Sequence, residues 1–452
     1  MTIAAPPRMP LASNTTTEIS PIFERQTRWM FLALCTYILS QAYTIPVVPI
    51  GPWSLWPRLG DFAIGFLLLS WLGERRCAGT ATRAHGAVFQ ALVLLGGLGT
   101  ISYLVYLIAG QHPANAPGVV TGLFQLYLFG KFGLLYWLVT QIPLTPPRLH
   151  VLERLTGTVL LFVAVAIIAT YFNILPLSAV APQLPKSPGV AGLWYLFNFK
   201  GDLGERRGWG TIGYDHIYVA AQVVLLTGLY FHLARDRFRL RDGGLVLLAL
   251  FACFLSNSRS GLAAMLFLIG VRSLRIPRQA LVLCILMLLA GAAMLAFKGD
   301  STLPILQSTI QRQETLTSAT NADNLAGRDE IWQHRVDYLD EEPVRWLIGT
   351  GFGAARDSGT NAHFLALHIT TELGLIGLLC YALLFAIILT QLYRGEAGHH
   401  SLFWTTVALL VSSFAQETFY PLPNFGHFIG LYLCTLAIAF RRPIFVTTNQ
   451  DF

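Results

Sequence analysis

The sequence predicts an all-α protein, a polytopic membrane helical bundle of about twelve transmembrane helices with a long outward loop between spans 9 and 10. Three observations predict it. The chain has 452 residues, of which 54% are hydrophobic and only 12% charged, against about 25% charged in a soluble domain. Its apolar runs are long and do not alternate, and because unpaired backbone groups are too costly in hydrocarbon, such runs must cross as helices. Its basic residues gather in short segments between the runs, which is a topology signal. The formal net charge of +7 therefore marks membrane orientation, and no nucleic-acid partner is expected.

Residues 1-28 come first, the first 24 of them polar, with Pro6, Pro7 and the run Asn14-Thr15-Thr16-Thr17. They lack the charged start, apolar core and small-residue site of a signal peptide and read as a disordered cytoplasmic tail. The transmembrane domain then covers 29-440, and 441-452 form a second cytoplasmic tail. A span needs about 20 apolar residues, and the runs that qualify are 29-50, 56-73, 87-109, 119-142, 156-175, 217-234, 280-297, 374-393, 401-416 and 427-440. Residues 245-271 are too long for one ordinary span and too short for two. Loop charge decides. If this stretch is two short helices meeting at Ser256-Asn257-Ser258-Arg259-Ser260-Gly261, the clusters around Arg25, Arg75, Arg148, Arg235, Arg272, Arg394 and Arg441 all fall on one side. Cytoplasmic segments then hold about 18 Lys/Arg against about 8 Asp/Glu, and the rest about 13 against about 16. Helices of about 11 residues rise only about 16 Å, so the serine-rich turn is expected below the outer surface, reached through a cavity.

Two outward segments are long, 176-216 and 298-373, and loops beyond about 12 to 15 residues are usually functional or disordered. In the second, Ile331, Trp332, Val336 and Leu339 stand near helical spacing, which predicts a short helix. The six cysteines, Cys35, Cys77, Cys253, Cys284, Cys380 and Cys434, form no CxxC pair. None stands where a disulfide or a structural zinc site is expected.

Four motifs face outward on this topology. They are GERRGWG with GYDH (Arg206, Arg207, Tyr214, Asp215, His216), SNSRSG (Arg259), AGRDEIW (Arg328, Trp332), and GTGFG followed by AHFLALHITTELGLIG (His363, Glu372). Together they suggest an anion site with a nearby base. Arg259 is the sharpest case, because an arginine within the membrane is costly and is normally paired or lines a polar cavity. It either fixes the helix turn or binds a diphosphate, to whose oxygens a guanidinium fork is matched. Arg206 and Arg207 are either a solvated pair or part of the anion site beside the next span's N-terminus. Arg328 either pairs with Asp329 or Glu330, or caps the short helix, or joins that site. His363 precedes a long span, and an imidazole with a pKa near about 6.5 suits proton abstraction from a hydroxyl. Glu372 lies nine residues on, about 180° around a helix, so it reads as orienting a neighbouring loop. His368 is the weaker histidine candidate. Lys131, in the middle of a span, is either structural or faces a route for a lipid diphosphate.

These pieces resemble the superfamily of O-antigen ligases and O-antigen polymerases, glycosyltransferases of the bacterial envelope. SNSRSGLAA, AGRDEIW, GTGFG and AHFLALHITTELGLIGLL carry the resemblance, together with GERRGWGTIGYDH, and it extends over roughly residues 200 to 440. It implies a metal-independent, cofactor-free, inverting transfer of a glycan from undecaprenyl diphosphate on the periplasmic face of the inner membrane. The acceptor would be a hydroxyl of a second glycan or of lipid A core. It further implies that Arg207, Arg259 and Arg328 hold the diphosphate and that His363 is the catalytic base, with Arg206, His216 and Glu372 in support. One position departs from the family pattern: the usual His-Asn or His-Ser pair reads His363-Phe364. No DxD-type pair suggesting a nucleotide-sugar and Mg²⁺ site appears in the outward loops. The competing classes are a transporter or flippase of lipid-linked saccharide and a non-catalytic assembly subunit; the long loop bearing His363 weighs against a transporter, whose sites usually lie near the midplane.

Overall fold

A computed structural model describes residues 27–48, 57–74, 83–110, 117–175, 208–212, 216–235, 240–275, 303–314, 328–357, 362–395, 399–422 and 427–440. All regular structure among them is helical. In chain order the helices are α1 (Arg28–Ser40), α2 (Leu59–Glu74), α3 (Arg83–Gly110), α4 (Pro117–Thr140), α5 (Pro146–Tyr171), α6 (His216–Ala234), α7 (Leu240–Leu255), α8 (Arg259–Arg275), α9 (Leu303–Glu314), α10 (Arg328–Asp340), α11 (Pro343–Ile348), α12 (Leu365–Arg394), α13 (His399–Ser412) and α14 (His427–Ala439), with a 3₁₀ turn at Ala354–Arg356. Among the described residues, five stretches are long and apolar enough to cross a membrane: Gly86–Ile108, Pro117–Thr140, Pro146–Tyr171, Ile217–Ala234 and Leu365–Arg394. The helices Arg28–Ser40, His400–Ser412 and His427–Ala439 are apolar but shorter. The expected span at 280-297, both terminal tails, and Arg206 and Arg207 lie outside the described residues.

Helix α6 is the centre of the bundle. It packs on α5, α7, α8, α13 and α14, and it is buried over almost its whole apolar length. Small residues allow the close approaches, as is usual where lipid gives helices no hydrophobic reason to associate. A Cβ on Gly228 would lie 2.2 Å from Thr405 Oγ1 of α13, and one on Gly261 would lie 2.2 Å from the Ala220 side chain.

Residues 245-271 do form two helices. Arg272 near the end of α8 donates to the Arg235 carbonyl at the end of α6 (2.9 Å) and to Ser401 Oγ at the start of α13 (3.0 Å). Its guanidinium also lies 4.1 Å from the Phe231 ring centroid. Since α7 begins five residues after Arg235, α7 and α8 form a hairpin whose two basic ends lie on the same side. Two details differ from the sequence reading. The helices have 16 and 17 residues, because they continue past the apolar window into Arg241-Asp242-Gly243-Gly244 on one side and Arg272–Arg275 on the other. At about 1.5 Å per residue they rise about 24 Å, more than the roughly 16 Å expected for helices of about 11 residues. Ser256, Asn257 and Ser258 are also fully buried and therefore do not line an open cavity; Arg259 and Ser260 are the partly exposed members of the motif.

The stretch expected as a loop with one short helix instead holds α9, α10, α11 and the 3₁₀ turn. The expected helix over Ile331 to Leu339 is α10. Helix α9 seats Leu306 against Tyr171 and Leu255, and Thr309 Oγ1 lies 2.8 Å from the Tyr171 hydroxyl, which closes this segment over the ends of α5 and α7. Lys131 is ion-paired with Asp61 at 2.7 Å and flanked by the rings of Tyr127 and Phe132. That pairing satisfies the lysine within the bundle.

Candidate active site

The site is built around a kink. Helix α12 is interrupted at Gly374, where φ is 66° and ψ is −171°. The turn Gly349-Thr350-Gly351-Phe352-Gly353 crosses this point. Thr350 donates its backbone N–H to the Thr371 carbonyl (2.8 Å), and Gly351 donates to the Glu372 carbonyl (3.1 Å). A Cβ on Gly349 would lie 2.4 Å from Glu372 backbone atoms, and one on Gly374 would lie 2.3 Å from the Leu347 carbonyl oxygen. Both glycines have positive φ, 77° and 66°, so conformation and space alike exclude a side chain. GTGFG and the Glu-Leu-Gly of α12 are two halves of one crossing.

On the inner side of the crossing lies a group of buried ionisable residues. Glu372 and His368, one helical turn apart on α12, approach to 3.7 Å. The Tyr420 hydroxyl donates to Glu372 Oε2 at 2.5 Å. His368 Nδ1 lies 3.6 Å from Glu417 Oε1, so His368 stands between two carboxylates. All four side chains are essentially inaccessible. Arg335 of α10 is also buried; it donates to the Ala355 carbonyl at 2.9 Å and lies within electrostatic reach of Glu372 and Glu417. Burial alone would push the Glu417 carboxyl up, but the imidazoles of His368 and His363 outweigh it and hold it below the ordinary glutamate value.

His363 stands at the mouth of this group, with its side chain one-third exposed. It precedes α12 rather than belonging to it, and its φ of 51° is left-handed. Four neighbours, Glu417, Trp332, Phe414 and Gln416, fix the segment. The His363 backbone N–H donates to Glu417 Oε1. Trp332 of AGRDEIW donates its indole N–H to the Ala362 carbonyl at 2.8 Å. Phe364 packs between the rings of Trp332 (5.7 Å) and Phe414 (5.4 Å), so an aromatic residue at 364 closes the site on one side. The His363 Nδ1 lies 3.1 Å from Gln416 Oε1.

The other motifs converge from α6. Gly208 donates its N–H to the Leu255 carbonyl at 2.8 Å, directly before the SNSRSG turn. The N–H groups of Trp209 and Gly210 meet Thr170 Oγ1 at 3.2 and 2.8 Å. On the far side of the turn Gly261 touches Ala220, and two residues away the Tyr218 hydroxyl donates to the Glu417 carbonyl at 3.1 Å. One turn of α6 thus links the Arg259 motif to the segment that holds His363. His216 opens α6 and Arg328 opens α10; Arg328 is partly exposed beside Asp329 and Glu330.

Sequence reasoning did not single out Arg335, Gln416, Glu417 or Tyr420, and it ranked His368 low. The available signal was Ala-Gln-Glu-Thr-Phe-Tyr, two strongly polar residues closing an apolar run at its outward end.

No curated protein matches the chain. A family model described as O-antigen ligase matches residues 244–382. That stretch begins in α7, ends within α12 and contains Arg259, Arg328, His363 and Glu372; GERRGWG and the Gln416-Glu417 pair lie outside it. Carried on all-helical architecture with apolar helices of membrane-spanning length, this O-antigen ligase domain supports the O-antigen ligase superfamily for the chain and a bacterial membrane glycosyltransferase as its general type.

Proposed function

We propose that the protein is a metal-independent inverting glycosyltransferase that moves a glycan from undecaprenyl diphosphate to an acceptor hydroxyl at the periplasmic face of the inner membrane. It would do so on a bundle of twelve spans with both termini in the cytoplasm. The observation that carries this reading is His363: a partly exposed imidazole in a left-handed turn, held by Glu417, Trp332 and Gln416 and linked through α6 to the Arg259 turn.

The chemistry follows from these groups. The imidazole removes the acceptor proton as the acceptor oxygen attacks the anomeric carbon from the face opposite the diphosphate. The anomeric C–O bond breaks, and both its electrons leave with the lipid diphosphate. That leaving group needs no proton, only stabilisation of growing negative charge, which preorganised guanidinium groups supply best away from bulk water. Arg207, Arg259 and Arg328 are assigned that part, and Arg206, His216 and Glu372 support the site around them.

His363→Ala is the test. General-base catalysis contributes about 10² to 10⁴ fold, so transfer should fall by that factor while undecaprenyl diphosphate still binds the same purified preparation. Normal transfer by the folded variant refutes the reading; joint loss of folding and donor binding assigns the histidine a structural role. Envelope glycans of a deletion strain identify the acceptor: single-repeat chains mark a lost polymerase, and unattached long chains a lost ligase.

A further inference from the structure

Building on that reading, we propose that Gln416 and Glu417 are positioning residues for the His363 base. Gln416 sets the imidazole tautomer by accepting the Nδ1 proton, and Glu417 holds the backbone turn that presents the ring. An amide oxygen only accepts hydrogen bonds, so the 3.1 Å contact from Gln416 Oε1 to His363 Nδ1 places a proton on Nδ1. The lone pair is then on Nε2. A neutral imidazole can abstract a proton only through the nitrogen bearing that lone pair, so Gln416 selects which ring edge works as the base.

Gln416 is itself immobilised. It is buried and sits three residues after Ser413, whose carbonyl accepts the Leu365 N–H at 3.0 Å. The first turn of α12 and the Gln416 segment therefore move as one body. Glu417 acts on the backbone. A positive φ is disfavoured for a residue with a Cβ and persists only where surroundings over-determine it. At His363 the Glu417 carboxylate accepts the backbone N–H of the strained residue itself.

The charges facing His363 come from several elements. Glu417 Oε2 lies 3.9 Å from Nδ1, with His368 of α12 behind Glu417, and Arg335 of α10 within electrostatic reach of it. A neutral amide at 416 orients the ring without adding a second carboxylate, which would raise the pH at which the imidazole gives up the abstracted proton.

The experiment uses full-length protein in phospholipid vesicles and, as substrate, the lipid extract of a strain deleted for this chain, which holds donor and acceptor together. Gln416→Met should lower kcat on the order of 10 to 100 fold, part of the general-base contribution, with donor KM little changed. Gln416→Glu should recover most of kcat, with the acidic limb of the pH–rate profile moved to higher pH because a second carboxylate faces the imidazolium. Glu417→Gln, which keeps an acceptor for the His363 N–H, should retain more activity than Glu417→Leu. Full kcat in Gln416→Met overturns the proposal, as does a Gln416→Glu enzyme as slow as the methionine variant. A second measurement is ¹⁵N NMR of histidine-labelled wild-type protein, with the His363→Ala difference identifying the signal; a proton on Nε2 also overturns the proposal. If His363→Ala is fully active the base assignment itself fails, whereas inactive His363→Ala beside fully active Gln416→Met removes only this inference.

Discussion

At the residue scale, two groups carry sharply different charge arguments. Glu417 is a buried carboxylate whose pKa in the folded protein is held below the ordinary value. Such a group stabilises the fold fully above its unfolded pKa of about 4.3, and that contribution disappears as pH falls through the lower folded value. Thermal unfolding of the detergent-solubilised protein should therefore lose midpoint on acidification below about pH 4, and Glu417→Gln should flatten the loss. Parallel pH curves for the two proteins would show that other carboxylates set the acid limit. Arg259 is the opposite case, a cation that begins α8 beside a buried turn. If its planar fork grips a diphosphate, Arg259→Lys should fail nearly as badly as Arg259→Ala at equal protein level, because a point charge cannot replace two parallel donors. A fully active lysine variant would leave it only a generic electrostatic role.

At the scale of elements, the crossing of the GTGFG turn over α12 determines whether the site exists. A methyl group at Gly349 or Gly374 would meet backbone atoms that cannot yield, and each position has a left-handed φ. Gly349→Ala should cost about 1 to 3 kcal/mol or more and lower folded yield and activity together, whereas Gly97→Ala, in open space on α3, should be neutral. Equal behaviour of the two variants in a thermal-shift measurement would remove the crossing as a constraint. This element also shows what could be read from sequence. GTGFG and the Glu-x-Gly segment stood out as motifs around His363, and the charge pattern around Ser256 to Gly261 announced a hairpin. Neither revealed that the two halves of the crossing bond to each other through the Thr371 and Glu372 carbonyls, since backbone pairing across 21 residues leaves no periodic trace. Gln416 and Glu417 escaped for a related reason. They sit 53 and 54 positions from His363 and look, in one dimension, like the polar end of a span. Arg335 was hidden because alternate positions of a short amphipathic helix do not tell which face meets protein and which meets water.

At the scale of the whole molecule, the hairpin makes a definite statement about sidedness. Arg272 joins the ends of α6 and α8 and the start of α13 at one end of the bundle, and α12 ends at Arg394, five residues before α13 begins. The Arg235, Arg241, Arg272 and Arg394 clusters therefore share one end, which on the twelve-span arrangement proposed above faces the cytoplasm, as clustered positive charge favours. The Glu341 and His363 segments lie at the other end, because α12 leads away from Arg394 towards the kink and the candidate site. Labelling tests this directly. Ser258 is a poor reporter because it is buried, but Arg241 and Glu341 are well exposed, with side chains 60% and 61% accessible. In a protein cleared of its six native cysteines, a cysteine at Glu341 should react with an impermeant maleimide added to intact spheroplasts. One at Arg241 should react only after the membrane is opened or inverted. Labelling of both from outside would place the basic ends of α7 and α8 on the outer face, and the twelve-span arrangement would fall while the outward placement of the His363 segment stood. The reverse pattern would turn the whole bundle over and put the base on the side where no lipid-linked glycan waits for transfer.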